Sequence, residues 1–344
     1  MNIAEIKETL HYPDYAFLKD NDNLNKNIIL LGLGGSHAYG TNTPDSDLDI
    51  RGIATNRIKN ILTGQDFEQV VDVPTDTVIY SVEKMFKLLA ACNPNTIEIL
   101  GLKPDHYLYL SDAGKLLLEN KNLFLSQIAI YSFAGYATSQ LRRMENKAAR
   151  VADQPAQEFN ILKSIEKSMF DLERRHFPLE ASALNLYLDT AVNSEFEEEI
   201  FIDLNLKHYP LRDYANLHAE MLNIIRTYNK NTHRNNNAIS HDKLGKHMMH
   251  LIRLYLMCLD IVEKQEIITY READLELLNS IRRGDFLDEN TQPIPEFYDM
   301  LNDYEKRLDY AAKNTSLPRC ADQKAINELL YTINADIVKR GLIE

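Results

Sequence analysis

An apolar run that leads into Gly34-Gly35-Ser36, followed about a dozen residues later by Asp47-Leu48-Asp49, constrains this chain more than any other feature. Asn27–Leu33 is nearly continuous in apolar residues, which predicts a buried strand. Ser46–Gly52 alternates charged and apolar residues, so a strand there sets Asp47, Asp49 and Arg51 on one face and Leu48 and Ile50 on the other. Same-face neighbours on a strand lie roughly 6.5–7 Å apart at Cα, close enough for two carboxylates to converge on a metal pair about 3.5–4 Å apart. Gly34 and Gly35 let backbone approach phosphate oxygens, and the Ser36 amide and hydroxyl can donate to them. Arg51 can meet phosphate or pair with one of the aspartates. Strand, small-residue turn and paired acids together suit a nucleoside triphosphate and its magnesium ions. The plainer alternative is a solvated turn entering an exposed strand face.

Composition limits what surrounds this device. At 344 residues the chain has room for two domains, each with its own core. A net charge of −13 argues against a broad electrostatic nucleic-acid surface, so such a substrate would have to be gripped in a local basic cleft. Cys92, Cys258 and Cys320 are far apart and odd in number, which fits a reducing compartment. With no signal-peptide pattern and no apolar run of roughly 18 residues, the expectation is a cytoplasmic protein that does not enter a membrane.

Residues 2–10 read as a helix, Asp76–Ser81 as a strand and Val82–Cys92 as a helix stopped by Asn93-Pro94. Beyond about residue 110 helical periodicity takes over, at 111–120, 124–150, 156–175, 180–190, 211–229, 241–264, 273–283, 295–313 and 321–340. Asn229–Asn237 and Asp285–Pro295 read as loops, and the acidic run Glu195–Glu199 as a solvated helix start. The expected division is a domain at 1–110 and a larger all-helical domain at 111–344 that closes over the site. Lys243, Lys246, His250 and Arg253 fall within about a quarter of a helix circumference on an otherwise apolar helix. That stripe suits a cleft holding the phosphates of donor or acceptor, or else a solvated basic face. Tyr136, Gln140, Arg143 and Lys147 make a second stripe, open to a substrate role or to packing.

Gly34-Gly35-Ser36 with Asp47-Leu-Asp49 resembles the signature of the DNA polymerase beta nucleotidyltransferase superfamily. More narrowly, Gly35–Gly40, Ser46–Gly52 and the run from Tyr80 through Asn93-Pro94 to Leu100 resemble a subfamily of bacterial and phage nucleotidyltransferases associated in part with RNA repair. Weaker similarity continues through Tyr136 and Gln140 and through Lys246–Arg253 to Ile281–Gly284. The resemblance implies an α+β fold, in which a small mixed β-sheet flanked by helices precedes the helical domain. It also implies two Mg²⁺ ions, with Mn²⁺ as an alternative, and an NTP donor, ATP as the first choice. A third carboxylate on a later strand belongs to that pattern; Asp76 is the choice and Asp72 the fallback. His37 can contact phosphate or sugar, or pack the turn with Tyr39; Glu98 can support the site or pair with a buried base. The acceptor stays open: an RNA 3′ end first, then a protein hydroxyl (AMPylation) or a small molecule. A non-catalytic nucleotide sensor is the reading from another class. Oligomeric state is not legible.

Overall fold

The computed structural model describes residues 3–44, 46–151, 184–190, 198–232 and 242–341. Five strands form one mixed sheet: β1 (Ile28–Leu33), β2 (Ile50–Ala54), β3 (Gln69–Asp72), β4 (Thr77–Ser81) and β5 (Tyr107–Leu110), in the order β3-β4-β2-β1-β5. β2 and β4 are parallel; every other pairing is antiparallel. β1 lies at the heart of the domain and is buried along its whole length, which accounts for its unbroken apolar sequence. Leu30, Leu33, Ile50, Ile53 and Ile79 are fully enclosed around it.

β2 begins at Ile50, not at Ser46. Its neighbours explain the shorter span: β1 ends at Leu33 opposite Ile50, and β4 begins at Thr77 opposite the same residue. Before Ile50 there is no strand on either side to pair with. Asp47 and Asp49 therefore lie on the lead-in to the strand, at the rim of the sheet.

Helix Val82–Ala90 follows β4 directly, and the Ser81 hydroxyl accepts from Lys84 N at 3.0 Å as its N-cap. Asn93 caps a further short helix in which Pro94 takes the first position. The remainder is mainly helical, with long helices at Ile128–Val151, Leu211–Thr232, Asp242–Leu259, Pro295–Asn314 and Gln323–Gly341. One expected helix is instead a strand: β6 (Leu184–Thr190) pairs antiparallel with β7 (Glu198–Leu204). Leu184, Leu186 and Leu188 alternate with Asn185, Tyr187 and Asp189, a period of two that outweighs the helical reading. Part of the acidic run, Glu198 and Glu199, consequently starts a strand rather than a helix. The helix expected at 156–175 lies outside the described residues.

By contacts the chain forms two compact units. One comprises Met1–Leu141, Lys246–Asp285 and Pro295–Glu344; the other comprises Arg142–Gly245 and Phe286–Ile294. The first contains the five-stranded sheet and the segment Lys246–Leu259 of the basic helix; the second contains the β6–β7 pair. Among the described residues no helix is long and apolar enough to cross a membrane.

Candidate active site

Gly34 ends the path of β1 and caps the short helix Gly35–Tyr39. Its amide donates to the Asp49 carbonyl at 2.9 Å, pinning the turn against the acidic lead-in. Gly35 has φ of +51°, and a Cβ there would stand 1.7 Å from Asp49 Oδ2. Glycine is therefore required twice over, for its left-handed backbone and for the space the carboxylate occupies. Ser36 is half-buried on the first turn of this helix.

Parallel pairing brings the second acid. Ile50 lies opposite Thr77, so the preceding residues, Asp49 and Asp76, are neighbours at the strand entrances. Ile50 N donates to the Asp76 carbonyl at 3.3 Å, and the two carboxyl groups share a hydrogen bond. Burial, and then the bond with Asp76, push the Asp49 carboxyl up to about 7, against the opposing pull of Arg51. The Asp76 carboxyl is held below its usual range, first by the bond from Asp49 and then by the Arg51 charge. The shared proton accordingly resides on Asp49 and the negative charge on Asp76. Arg51 spans both: Nη2 lies 3.5 Å from Asp49 Oδ1 and 3.2 Å from Asp76 Oδ1, while Nη1 donates to the Asp76 carbonyl at 2.6 Å. Asp76 itself adopts φ of +45°, a conformation aspartate tolerates better than most residues.

The other sequence-derived acids sit differently. Asp47 is exposed on the lead-in to β2. Among the described residues no three His, Cys, Asp or Glu side chains are grouped closely enough to hold a metal together. Asp72 closes the β3–β4 turn, accepting from Thr75 N at 3.1 Å and Thr75 Oγ1 at 2.8 Å. Its carboxylate is thus engaged by the β3–β4 turn itself rather than by Asp49 or Asp76. The donor set fits a hard divalent cation: two adjacent carboxylates, one of them retaining a proton through burial and an acidic neighbour, are what such an ion relieves.

His37 is buried and hydrogen-bonded to the Ser46 backbone, which ties the turn to the segment bearing Asp47. Burial lowers its pKa and keeps the ring neutral.

The basic helix Asp242–Leu259 is graded in exposure. Lys246 is exposed, His250 is half-buried and Arg253 is buried; the Lys243 side chain lies outside those described, as do Arg143 and Lys147 of the second stripe. Burial, and then the charge of Arg253, hold His250 well below the usual histidine range, so it is neutral. Tyr136 accepts from Asn95 Nδ2 at 3.2 Å, and Gln140 Oε1 lies 3.3 Å from His247 Nδ1. Arg253 stacks over Tyr39, with Cζ 3.6 Å from the ring centroid. The Tyr39 hydroxyl donates to Glu98 Oε2 at 2.5 Å and lies 3.0 Å from Met257 Sδ. Glu98 is buried, and that burial raises its carboxyl above the usual range, against the opposing charge of Arg253. Glu98 lines the same cavity as Arg253, and its carboxylate accepts from the Tyr39 hydroxyl rather than forming an ion pair with that arginine. Arg253 Nε and Nη1 have no hydrogen-bond partner. A desolvated cation–π contact is worth about 2 kcal/mol, whereas each unmet buried donor costs about 1–3 kcal/mol. The stack alone does not offset the unmet donors.

These elements enclose one cavity of about 360 Å³, lined by Gly35, Arg51, Val78, Tyr80, Asn95, Glu98 and Arg253. Val78 and Tyr80 follow Asp76 at the strand period of two, a signal for the cavity wall that was legible in the sequence. Asn95 and Glu98 arrive from the helical turns after Asn93-Pro94, where no local pattern announces a site. A smaller cavity, bounded by residues including Lys103, Lys121 and Tyr270, shares none of this lining.

Comparison with known proteins agrees with the geometry. A protein of Enterobacteria phage T4, described as an uncharacterized 38.9 kDa protein in the nrdC-mobD intergenic region, is 29% identical over 131 residues. That match covers 34% of this chain and 39% of the phage protein. No solved structure matches. The sequence profile of RlaP, the RNA repair pathway DNA polymerase beta family, matches residues 6–172, which include the sheet, the glycine turn, Asp47, Asp49, Asp76 and Glu98. Over those residues, a little under half of the chain, the protein matches the RNA repair pathway DNA polymerase beta family, which supports a nucleotidyltransferase of the polymerase beta superfamily.

Proposed function

We propose that this protein is a magnesium-dependent nucleotidyltransferase that moves a nucleoside monophosphate from an NTP, ATP first, to an acceptor hydroxyl, with an RNA 3′ end as the acceptor. The observation that carries the reading is the contact between Asp49 and Asp76, bridged by Arg51 and closed over by Gly35 at the mouth of a cavity with a second arginine. Asp47, Asp49 and Asp76 would hold the divalent ions. When bound, such ions neutralise triphosphate charge and make an attacking hydroxyl more acidic.

The chain's own residues supply the rest. Gly35, without a side chain, lets the Asp49 carboxylate lie against the turn, and the Ser36 hydroxyl donates to phosphate oxygens. Arg51 and Arg253 offer planar donor forks to the phosphates from the cavity wall. Lys246, exposed on the same helix, adds charge for donor or acceptor. Lys243 and His250 belong to the same proposed nucleotide-binding stripe. His37 acts by anchoring the Ser46–Asp49 lead-in rather than by charge, since it is neutral. Asp76, held ionised, is the group that takes the proton from the attacking hydroxyl. Pyrophosphate leaves in line as the new ester forms, and positioning with electrostatic stabilisation supplies most of the acceleration.

The match to a repair-pathway family supports RNA over the protein and small-molecule acceptors. The test is incubation with each α-phosphate-labelled NTP and Mg²⁺, with and without total RNA. Label in RNA is the expected result. Label in protein or in a small product moves the acceptor, and tight NTP binding with no pyrophosphate released in any mixture identifies a sensor instead.

A further inference from the structure

Arg253 is 9% exposed, and it is enclosed beside an aromatic face rather than beside a carboxylate that takes up its fork. Its Nε and Nη1 are both without partners, although it lines a cavity shared with Gly35, Arg51 and Glu98. A guanidinium withheld from water with donors unused is arranged for an oxygen-rich anion that completes its bonding. Glu98, on the same cavity lining, is engaged by the Tyr39 hydroxyl and forms no ion pair with the arginine. Tyr39 is also fixed from behind: its carbonyl accepts from Arg271 N at 3.3 Å, and Arg271 is held in turn by Asp260 and Asp274. The ring under Arg253 is therefore a rigid platform.

We infer that Arg253 is the residue that grips a polyphosphate anion in this cavity, with Arg51 on the same lining, and that Tyr39 and Glu98 are positioning residues that hold its guanidinium toward the anion. This rests on the transferase reading for its substrate, the polyphosphate tail of the donor, but the binding itself needs neither transfer nor a divalent ion. It separates Arg253 from the rest of the basic stripe, whose exposed Lys246 has no such platform.

The test uses the full chain, sodium tripolyphosphate and EDTA, with affinity read by calorimetry and folding by thermal unfolding. Wild type binds the anion, Arg253→Gln weakens it at least about tenfold, and Arg253→Lys, which keeps the charge but not the fork, weakens it about threefold or more. Tyr39→Phe keeps the ring and weakens binding a few-fold. The double variant Tyr39→Phe/Arg253→Gln binds no more weakly than Arg253→Gln, because the hydroxyl acts through the guanidinium. Undiminished binding by Arg253→Gln, or no binding by wild type, overturns the inference. If Arg253→Gln does not fold, Arg253→Lys decides, and wild-type affinity there overturns it. A further loss in the double variant overturns the positioning role of Tyr39. Arg253-dependent tripolyphosphate binding without transfer to any acceptor would leave this site standing and remove the transferase reading; transfer with an unchanged NTP KM in Arg253→Gln would do the reverse.

Discussion

The two sides of the cavity are built in opposite ways. The acidic side is assembled at the open ends of β2 and β4, where Asp49 is partly shielded and Asp76 has a side chain 57% exposed. The arginine side is buried, stacked on a tyrosine and braced from behind. The first side has too much negative charge and manages it with a retained proton and with Arg51. The second has a cation whose donors are unmet. One ligand class resolves both deficits, a polyphosphate carrying divalent cations. Neither side alone favours an enzyme over a surface ion pair or a buried stack; their opposition across a glycine turn is what supports the proposed transferase.

The largest effect that would break this comparison comes from the acids. Replacing Asp47 and Asp49 by Asn together should lower transfer by more than about a thousandfold while leaving the thermal unfolding of the metal-free protein unchanged or raised. Asp76→Asn should cost more than about a hundredfold, whereas Asp72→Asn, which keeps an acceptor for Thr75, should stay within about threefold. Equal losses at Asp72 and Asp76 would mean that the strand pairing does not define the site.

Gly35→Ala should come next. The new Cβ meets Asp49 Oδ2 and the backbone sits at positive φ, so urea unfolding should show a loss of about 1–3 kcal/mol, with the acidic side disrupted and the Arg253–Tyr39 stack intact. Gly64 supplies the control: its φ is +68° and nothing lies within 4 Å of where a Cβ would stand, so Gly64→Ala carries backbone strain alone.

The smallest effect is a pH dependence. Asp49 in the folded protein keeps its proton up to about 7, whereas an unfolded aspartate loses it near about 4. Between those values the native state binds more protons than the unfolded state, so this group makes metal-free stability fall as pH rises from about 4 to about 7. Asp76, shifted the other way, contributes stability above the ordinary aspartate pKa and loses it on further acidification. Stability curves of Asp49→Asn in EDTA should lack the decline between about pH 4 and 7, and an unchanged slope would show that Asp49 does not carry the retained proton.

How much of this is legible in the sequence follows the same division. The acidic side is written locally: β1, the glycine turn and the closely spaced acids lie within a single short stretch, and Asp76 opens a strand with period-two alternation. Alternation alone starts β2 too early, because the pattern continues past the last residue that has partners to pair with. The long helices after residue 240 are plain from periodicity, whereas β6 passes for a helix because a short apolar pattern admits both periods. On the arginine side, helical spacing gathers Lys246, His250 and Arg253 into one stripe but cannot grade them. What distinguishes Arg253 is a tyrosine 214 positions earlier and a glutamate 59 positions beyond that tyrosine, contacts that only tertiary packing creates. Tyr39 and Glu98 are visible in the sequence as residues and not as a pair.

The central claim, that Asp47, Asp49 and Asp76 hold divalent ions beneath a triphosphate, is tested most directly by Mn²⁺ binding. Electron paramagnetic resonance would count the bound ions on the full chain with a non-hydrolysable NTP analogue, for wild type and for Asp47→Asn/Asp49→Asn. The account predicts two protein-bound ions that depend on the nucleotide and are lost in the double variant while Arg253-dependent tripolyphosphate binding persists. Ions retained in full by the double variant, or none bound by wild type with the nucleotide present, would contradict it.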